Sequence, residues 1–144
     1  MLKRSSLIMV VLLAFATLPI FAQNGVHMTT DVPFPFIVQG KTLPAGQYEF
    51  YQTNSNDESD WVIRNAQSGA TRVLFETENE HVDRAKPDTA LYFVQVGDTY
   101  YLSDLWTAGG IYGWHVPVKL EHVAMSAKPV MRKVAATLES GASS

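Results

Sequence analysis

The stretch ALYFVQVGDTYYLSDLW, Ala90 to Trp106, decides the fold class of this chain. Residues 90–96 are apolar at odd and even positions alike, so a strand there would bury both faces and run through the middle of a sheet. Gly97-Asp98 suits a tight two-residue hairpin with glycine first. That turn sets Phe93 opposite Leu102 and Val94 opposite Tyr101, which makes residues 99–106 the returning strand.

The flanking sequence repeats this pattern in weaker form. Val32, Phe34, Phe36 and Val38 are apolar at period two, the mark of a strand with one buried face. Pro33 and Pro35 interrupt it. Both lack an amide hydrogen on the same side, which places this strand at a sheet edge. Tyr48 and Phe50 mark a second strand, Trp61 and Ile63 a third, Val73 and Phe75 a fourth. A three-residue loop, Gln67-Ser68-Gly69, would set Ile63 opposite Val73 and Trp61 opposite Phe75, with Gly69 in a left-handed conformation. A two-residue loop would put Trp61 opposite Glu76, so the apolar pairing favours the longer one. Residues 53–60 and 77–89 read as polar connections. IYGWHVP, 111–117, is irregular or a short edge strand, and VKLEHVAMSA, 118–127, is ambiguous between helix and strand. Val130, Met131, Val134, Ala135 and Leu138 fall at helical spacing, and Pro129 fits the first turn of a C-terminal helix.

The expected fold is therefore mainly β: an antiparallel β-sandwich or small barrel of about six to eight strands with a C-terminal helix. An outer-membrane barrel is disfavoured, because the strands are few and short and their outer faces carry Glu49, Arg64, Arg72 and Glu76.

The N-terminus has a different character. Lys3 and Arg4 precede an uncharged, mostly apolar run, Leu7 to Ala22, that ends on a small residue. This is the layout of a secretory signal peptide. Ile20 is bulkier than is usual three residues before a cut. The run is also short for a membrane span of ~20 residues. The expected organisation is a signal peptide at 1–22, a β-domain at 23–128, and a C-terminal helix with a frayed tail at 129–144. The mature protein would be exported, periplasmic or extracellular, and would not span a membrane. The chain has no cysteine, so packing alone must hold the domain together. Residues 23–117 carry 5 basic and 12 acidic side chains, and residues 118–144 carry 4 and 2. An acidic body argues against nucleic acid as a partner.

DVPFPFIVQGKTLPAGQYEF, 31–50, is similar to the N-terminal signature of a family of small exported bacterial proteins. That signature runs Asp-Val-Pro-Phe-x-Phe, a polar stretch, then Leu-Pro-Ala-Gly-x-Tyr. TYYLSDLWTAGG, 99–110, also resembles a later hairpin of the family. The resemblance implies export and a compact, mostly β domain, and it assigns no substrate, cofactor or catalytic residue. The chain departs from the family after that hairpin. Val116-Pro117 stands where Leu-Pro is expected, and Lys119 and Glu121 follow in place of a serine and an acidic helix start.

Five groups of residues could carry chemistry. LPAG, 43–46, lacks the threonine, apolar tail and basic end of a sorting signal, and reads as a turn in which Pro44 presets the backbone. Glu78, Glu80, His81 and Asp83 offer ligands for a divalent cation. They lack the glycine bend and terminal acid of a calcium loop, and a solvated acidic loop is the simpler reading. His115, His122 and Met125, with His27 and Met28, are soft-metal ligand types without a dense cluster. Ser103-Asp104 and the histidines supply the atoms of a triad but no nucleophile elbow. Trp106, Tyr112 and Trp114 sit in a Gly-rich segment, where they either cap the open end of a sandwich or present rings to a ligand. The expected function is thus a non-enzymatic structural or protein-interaction module with no cofactor and no metal, whose partner is an envelope or extracellular protein. The alternative is a carbohydrate- or small apolar ligand-binding module using Trp106, Tyr112 and Trp114.

Overall fold

A computed structural model describes residues 25–54, 57–69, 72–118 and 128–139. The expected signal peptide, most of the ambiguous segment at 118–127 and the last residues lie outside them. The described residues form strands and turns, with no helix at the C-terminus. The strands are β1 (His27–Val32), β2 (Phe36–Val38), β3 (Lys41–Leu43), β4 (Gly46–Asn54), β5 (Asp57–Asn65) and β6 (Arg72–Glu76). They continue as β7 (Glu78–His81), β8 (Ala90–Val96), β9 (Thr99–Trp106), β10 (Tyr112–His115), β11 (Val130–Ala135) and β12 (Thr137–Leu138). Two sheets result. One has the order β12-β1-β4-β5-β6, and the other β11-β8-β9-β10-β7, with the β2–β3 hairpin joined to β9. Neither closes into a barrel, so the sandwich is the correct member of the expected pair.

The hairpin that opened the sequence reading forms in the expected register. Phe93 pairs with Leu102 and Val94 with Tyr101, and Gly97 takes a φ of 61°. β8 is interior, between β11 and β9. The β5–β6 hairpin likewise sets Ile63 opposite Val73 and Trp61 opposite Phe75, with Gly69 at a φ of 65°.

Several expectations need correction, beginning with the number of strands, which is twelve among the described residues and not six to eight. The single edge strand over 32–38 is two strands in different sheets. Val32 ends β1, Pro33 and Pro35 withhold two ladder donors, and Phe36 enters the opposite sheet. β1 is not at an edge, because β12 and β4 flank it. The LPAG turn does not join neighbouring strands of one sheet. It carries the chain from β3 in one sheet to β4 in the other, and the Tyr48 hydroxyl donates to Pro44 O at 2.6 Å. The turn that closes β2–β3 is Gln39-Gly40, with φ of 45° and 85°, as a primed hairpin turn requires.

The polar stretches 53–60 and 77–89 are not mere connections. β4 and β5 run on into the first, with Asn54 paired to Asp57. The second contains β7, which pairs with β10. Ladder hydrogen bonds do not depend on apolar side chains, so these strands have no hydrophobic alternation to reveal them. β10 is correspondingly interior, with β7 outside it.

Finally, the C-terminal helix is a strand. Val130 to Ala135 pair residue by residue with Gln95 to Ala90 of β8. A helix of about two turns is marginal alone, whereas the open edge of β8 supplies backbone partners along the whole segment. Val130, Met131 and Leu138 are consequently exposed, not aligned on a buried face. After Ala136 the chain crosses to the other sheet, where β12 pairs with β1.

The core lies between the sheets and is rich in aromatic rings. Phe36 meets Tyr48 edge-on at 5.3 Å and Phe93 at 5.5 Å. Trp61 meets Trp114 edge-on at 5.2 Å. Phe34, between the two prolines, stacks on Tyr100 at 3.7 Å. Phe36 joins both sheets through its ring, so Phe36→Ala should lower unfolding free energy by about 3–5 kcal/mol, measured by urea denaturation. A loss below ~1 kcal/mol would show that the seam tolerates the void.

Candidate functional site

One strand irregularity builds the most chemically loaded face of the protein. Tyr92 pairs with Asp104 and Phe93 with Leu102, which leaves Ser103 as an extra residue in β9. This is a bulge. It keeps both Leu102 and Leu105 in the core and turns Asp104 and Trp106 to the outer face of the sheet. β10 continues that alternation. Trp114, opposite Leu105, faces inward, while His115, opposite Asp104, faces outward. Gly113 pairs with Glu80 of β7, which brings Glu80 to the same outer face.

The result is a compact polar group from three strands. Ser103 Oγ donates to Asp104 Oδ2 at 2.6 Å. His115 Nδ1 lies 3.0 Å from Asp104 Oδ1. One ligand-type atom from each of Glu80, Asp104 and His115 lies within 4.8 Å of the other two. Asp104 is buried, while His115 keeps 40% of its side-chain surface. The Asp104 carboxyl hydrogen-bonds Glu80 and, with burial and the nearby negative charge, raises the Glu80 pKa from 4.5 to about 7. His115 and Lys86 pull in the opposite direction but do not cancel the shift. Glu80 Oε2 is buried and has no hydrogen-bond partner.

A lid of chain covers the neighbouring part of this face. Lys86 N donates to Gly110 O, Gly109 N to Lys86 O, and Val82 N to Ile111 O. These bonds hold the segment after β7 against the turn before β10. The Lys86 ammonium sits 5.1 Å from the Trp106 ring and 5.3 Å from the Tyr92 ring, within cation–π range.

The three aromatic candidates do not share a surface. Trp106 is 2% exposed, with its ring over Gly113 and under Lys86. Trp114 is half-buried on the inner face of the same sheet. Tyr112 alone is well exposed, at 64%, with its ring 5.0 Å from His81. Trp106 is therefore a cap on the outer face, not a stacking platform. Of the metal candidates, Glu78, His81 and Asp83 are exposed; His122 and Met125 lie outside the described residues. His27 lies beside Glu49, which is itself paired with Arg64. The triad candidates assemble in the wrong order. Ser103 and His115 both bind Asp104, so the hydroxyl is not hydrogen-bonded to the imidazole that would have to take its proton.

Glu80, Asp104 and His115 were each visible in the sequence, but in three separate groups. Their convergence depends on β7 forming within a polar segment and on the Ser103 bulge. The Ser-Asp pair in an otherwise apolar strand was the only local sign of it.

A second concave feature lies at the other margin of this sheet. An open cleft of about 730 Å³ runs between β1 and the β11–β12 crossing, lined by Thr29, Thr30, Asp31, Lys133, Val134 and neighbouring residues. Two of its hydroxyls are already committed, with Thr30 Oγ1 donating to Ala135 O at 2.7 Å and Thr29 Oγ1 donating to Glu139 Oε1 at 3.0 Å.

Two outcomes are expected. A Cβ added at Gly113 would meet the Trp106 ring at 2.6 Å, so Gly113→Ala should cost about 1–3 kcal/mol through overpacking; unchanged stability would mean the ring moves freely. For Glu80, the folded chain retains a proton that the unfolded chain releases above pH 4.5. The stability this gives is complete below pH 4.5 and is lost as pH rises through about 7. Glu80→Gln should therefore reduce the loss of thermal stability between these pH values, and an unchanged pH profile would refute the shared proton.

Comparison of the chain with protein-family models, with curated proteins and with solved structures gave no match, so the chemistry of this face is read from its own residues.

Proposed function

We propose that the protein is an exported, non-enzymatic β-sandwich that acts by binding another protein of the envelope or extracellular space, accepting an extended segment of it along β11. The observation that carries this reading is the edge of the second sheet. Among the described residues β11 is its terminal strand, and Val130 and Met131 stand 45% and 53% exposed on it. A terminal strand offers unpaired backbone donors and acceptors, and the addition of a partner strand is a common way to use them. The cleft between β1 and β11 continues the edge, so a strand laid there would pass from Met131 toward Thr29 and Thr30.

The edge also carries features that limit indiscriminate pairing. Lys133 is bonded to Asp88 and Arg132 to Gln95, which places positive side chains on an exposed strand and discourages self-association. The non-enzymatic part is supported by the Ser103–Asp104–His115 arrangement, in which the only buried serine among the described residues is bonded to the acid.

Site-specific photo-crosslinking separates this from other surfaces. A photoreactive residue at Met131 should capture a protein partner that the same residue at Leu74 does not. Leu74 is 70% exposed on the other sheet and serves as the apolar control. With the photoreactive residue kept at position 131, Val130→Lys should abolish that adduct without changing thermal stability. Equal capture at both positions, or turnover of a peptide, ester or glycoside substrate by the purified protein, would overturn the reading.

A further inference from the structure

We propose that Glu80, Asp104 and His115 form a binding site for one divalent cation of the zinc class, on the outer face of β7, β9 and β10. This goes beyond the protein-binding reading, and lies at the opposite margin of the sheet from β11.

Four features of the group point to a cation. The donor set, one imidazole and two carboxylates, is one that zinc accepts, with three protein ligands leaving a fourth position for solvent. The ligands come from three hydrogen-bonded strands, which hold their Cα atoms more firmly than loops would. The three atoms already lie within 4.8 Å of one another. Tetrahedral ligands bound at about 2.0–2.1 Å stand roughly 3.4 Å apart, so side-chain rotation suffices to close the site. Finally, Ser103 Oγ anchors Asp104 Oδ2 at 2.6 Å and leaves Oδ1 to face His115. A hydrogen bond to the non-ligating oxygen is how second-shell groups aim a carboxylate at a metal.

Glu80 supplies an independent sign. Its Oε2 is buried without a hydrogen-bond partner, although a carboxyl oxygen removed from water ordinarily finds one. Without a cation, the carboxyls of Glu80 and Asp104 meet at this point. A bound cation would satisfy the Glu80 carboxylate and remove the repulsion between the two acids. The metal would take the Nδ1 lone pair of the His115 imidazole, with the ring proton on Nε2, and any proton carried by the three ligands would be released to solvent.

Histidine chemistry sets this site apart from the acidic surface around it. Glu78 and His81 flank Glu80 on β7 and are exposed, so they are the natural controls for adventitious binding. Lys86 approaches from the covering segment, and its charge would weaken binding without filling the site.

Isothermal titration of the protein with zinc sulfate tests the stoichiometry. Nitrogen-detected NMR of the His115 ring reports whether Nδ1 becomes the metal-bound nitrogen. One ion per chain is expected, with Nδ1 of His115 shifted. Glu80→Gln and His115→Gln should each weaken binding by at least about 10–100-fold, while Glu78→Gln and His81→Gln leave it unchanged. Asp104 is not substituted, because its buried carboxyl also holds Ser103. Should His115→Gln fail to fold, Glu80→Gln and the ring nitrogen of the unsubstituted protein still decide. No binding, an unshifted Nδ1, or affinity indifferent to Glu80→Gln would overturn the site.

Discussion

The domain depends on two apolar sheet faces pressed together with no covalent tie between them. A chain without cysteine has only burial to offset the conformational entropy lost on folding. It meets that requirement with large rings: Trp61, Tyr48, Phe36, Phe50 and Phe93 are among its largest fully buried side chains. Each ring that touches both sheets contributes more than its own area, since it fixes the sheets' separation and rotation. Phe36 and Trp61 do this at opposite ends of the core, the first against Tyr48 and Phe93, the second against Trp114.

Keeping two open sheets together also requires the chain to cross between them, and besides the Leu43–Gly46 turn from β3 to β4 it does so at three corners. Pro33 and Pro35 make the first by withholding ladder donors. Thr77 makes the second, between β6 and β7, with its amide bonded to Ser59 O at 2.8 Å. Ala136 makes the third, between β11 and β12, with its amide bonded to Thr89 O at 3.1 Å. At the last two corners the residue that leaves one ladder finds a backbone acceptor elsewhere, so no buried amide is abandoned. These corners explain why consecutive strands in sequence so often belong to different sheets.

The same economy produces the polar face. A bulge at Ser103 would be a defect in a uniform sheet, yet it lets β9 bury Leu102 and Leu105 on one side and Asp104 and Trp106 on the other. Gly113 admits the Trp106 ring where any side chain would collide with it, and the chain around Lys86 closes over the indole. An acid, a second acid and an imidazole are left together at the edge of that cover. Their proximity is enforced by strand pairing, and this is why two carboxyls tolerate each other there.

Much of the β framework was legible from residue order. Turn chemistry is local: Gly97-Asp98 and Gln67-Ser68-Gly69 set registers that tertiary structure had no reason to change, and period-two apolar runs named the core strands. The limits were equally physical. Val130 to Leu138 has the apolar spacing of a helix, and the free edge of β8 overrode it by pairing the segment as a strand. Residues 77–89 show no alternation, because β7 is held by backbone bonds and not by apolar contacts. The two prolines at 33 and 35 announced a broken ladder, but only the packed structure turned that break into a crossing between sheets. The site follows the same division. Its residue types stood in the sequence in three unrelated places, and a one-residue bulge brought them to one face.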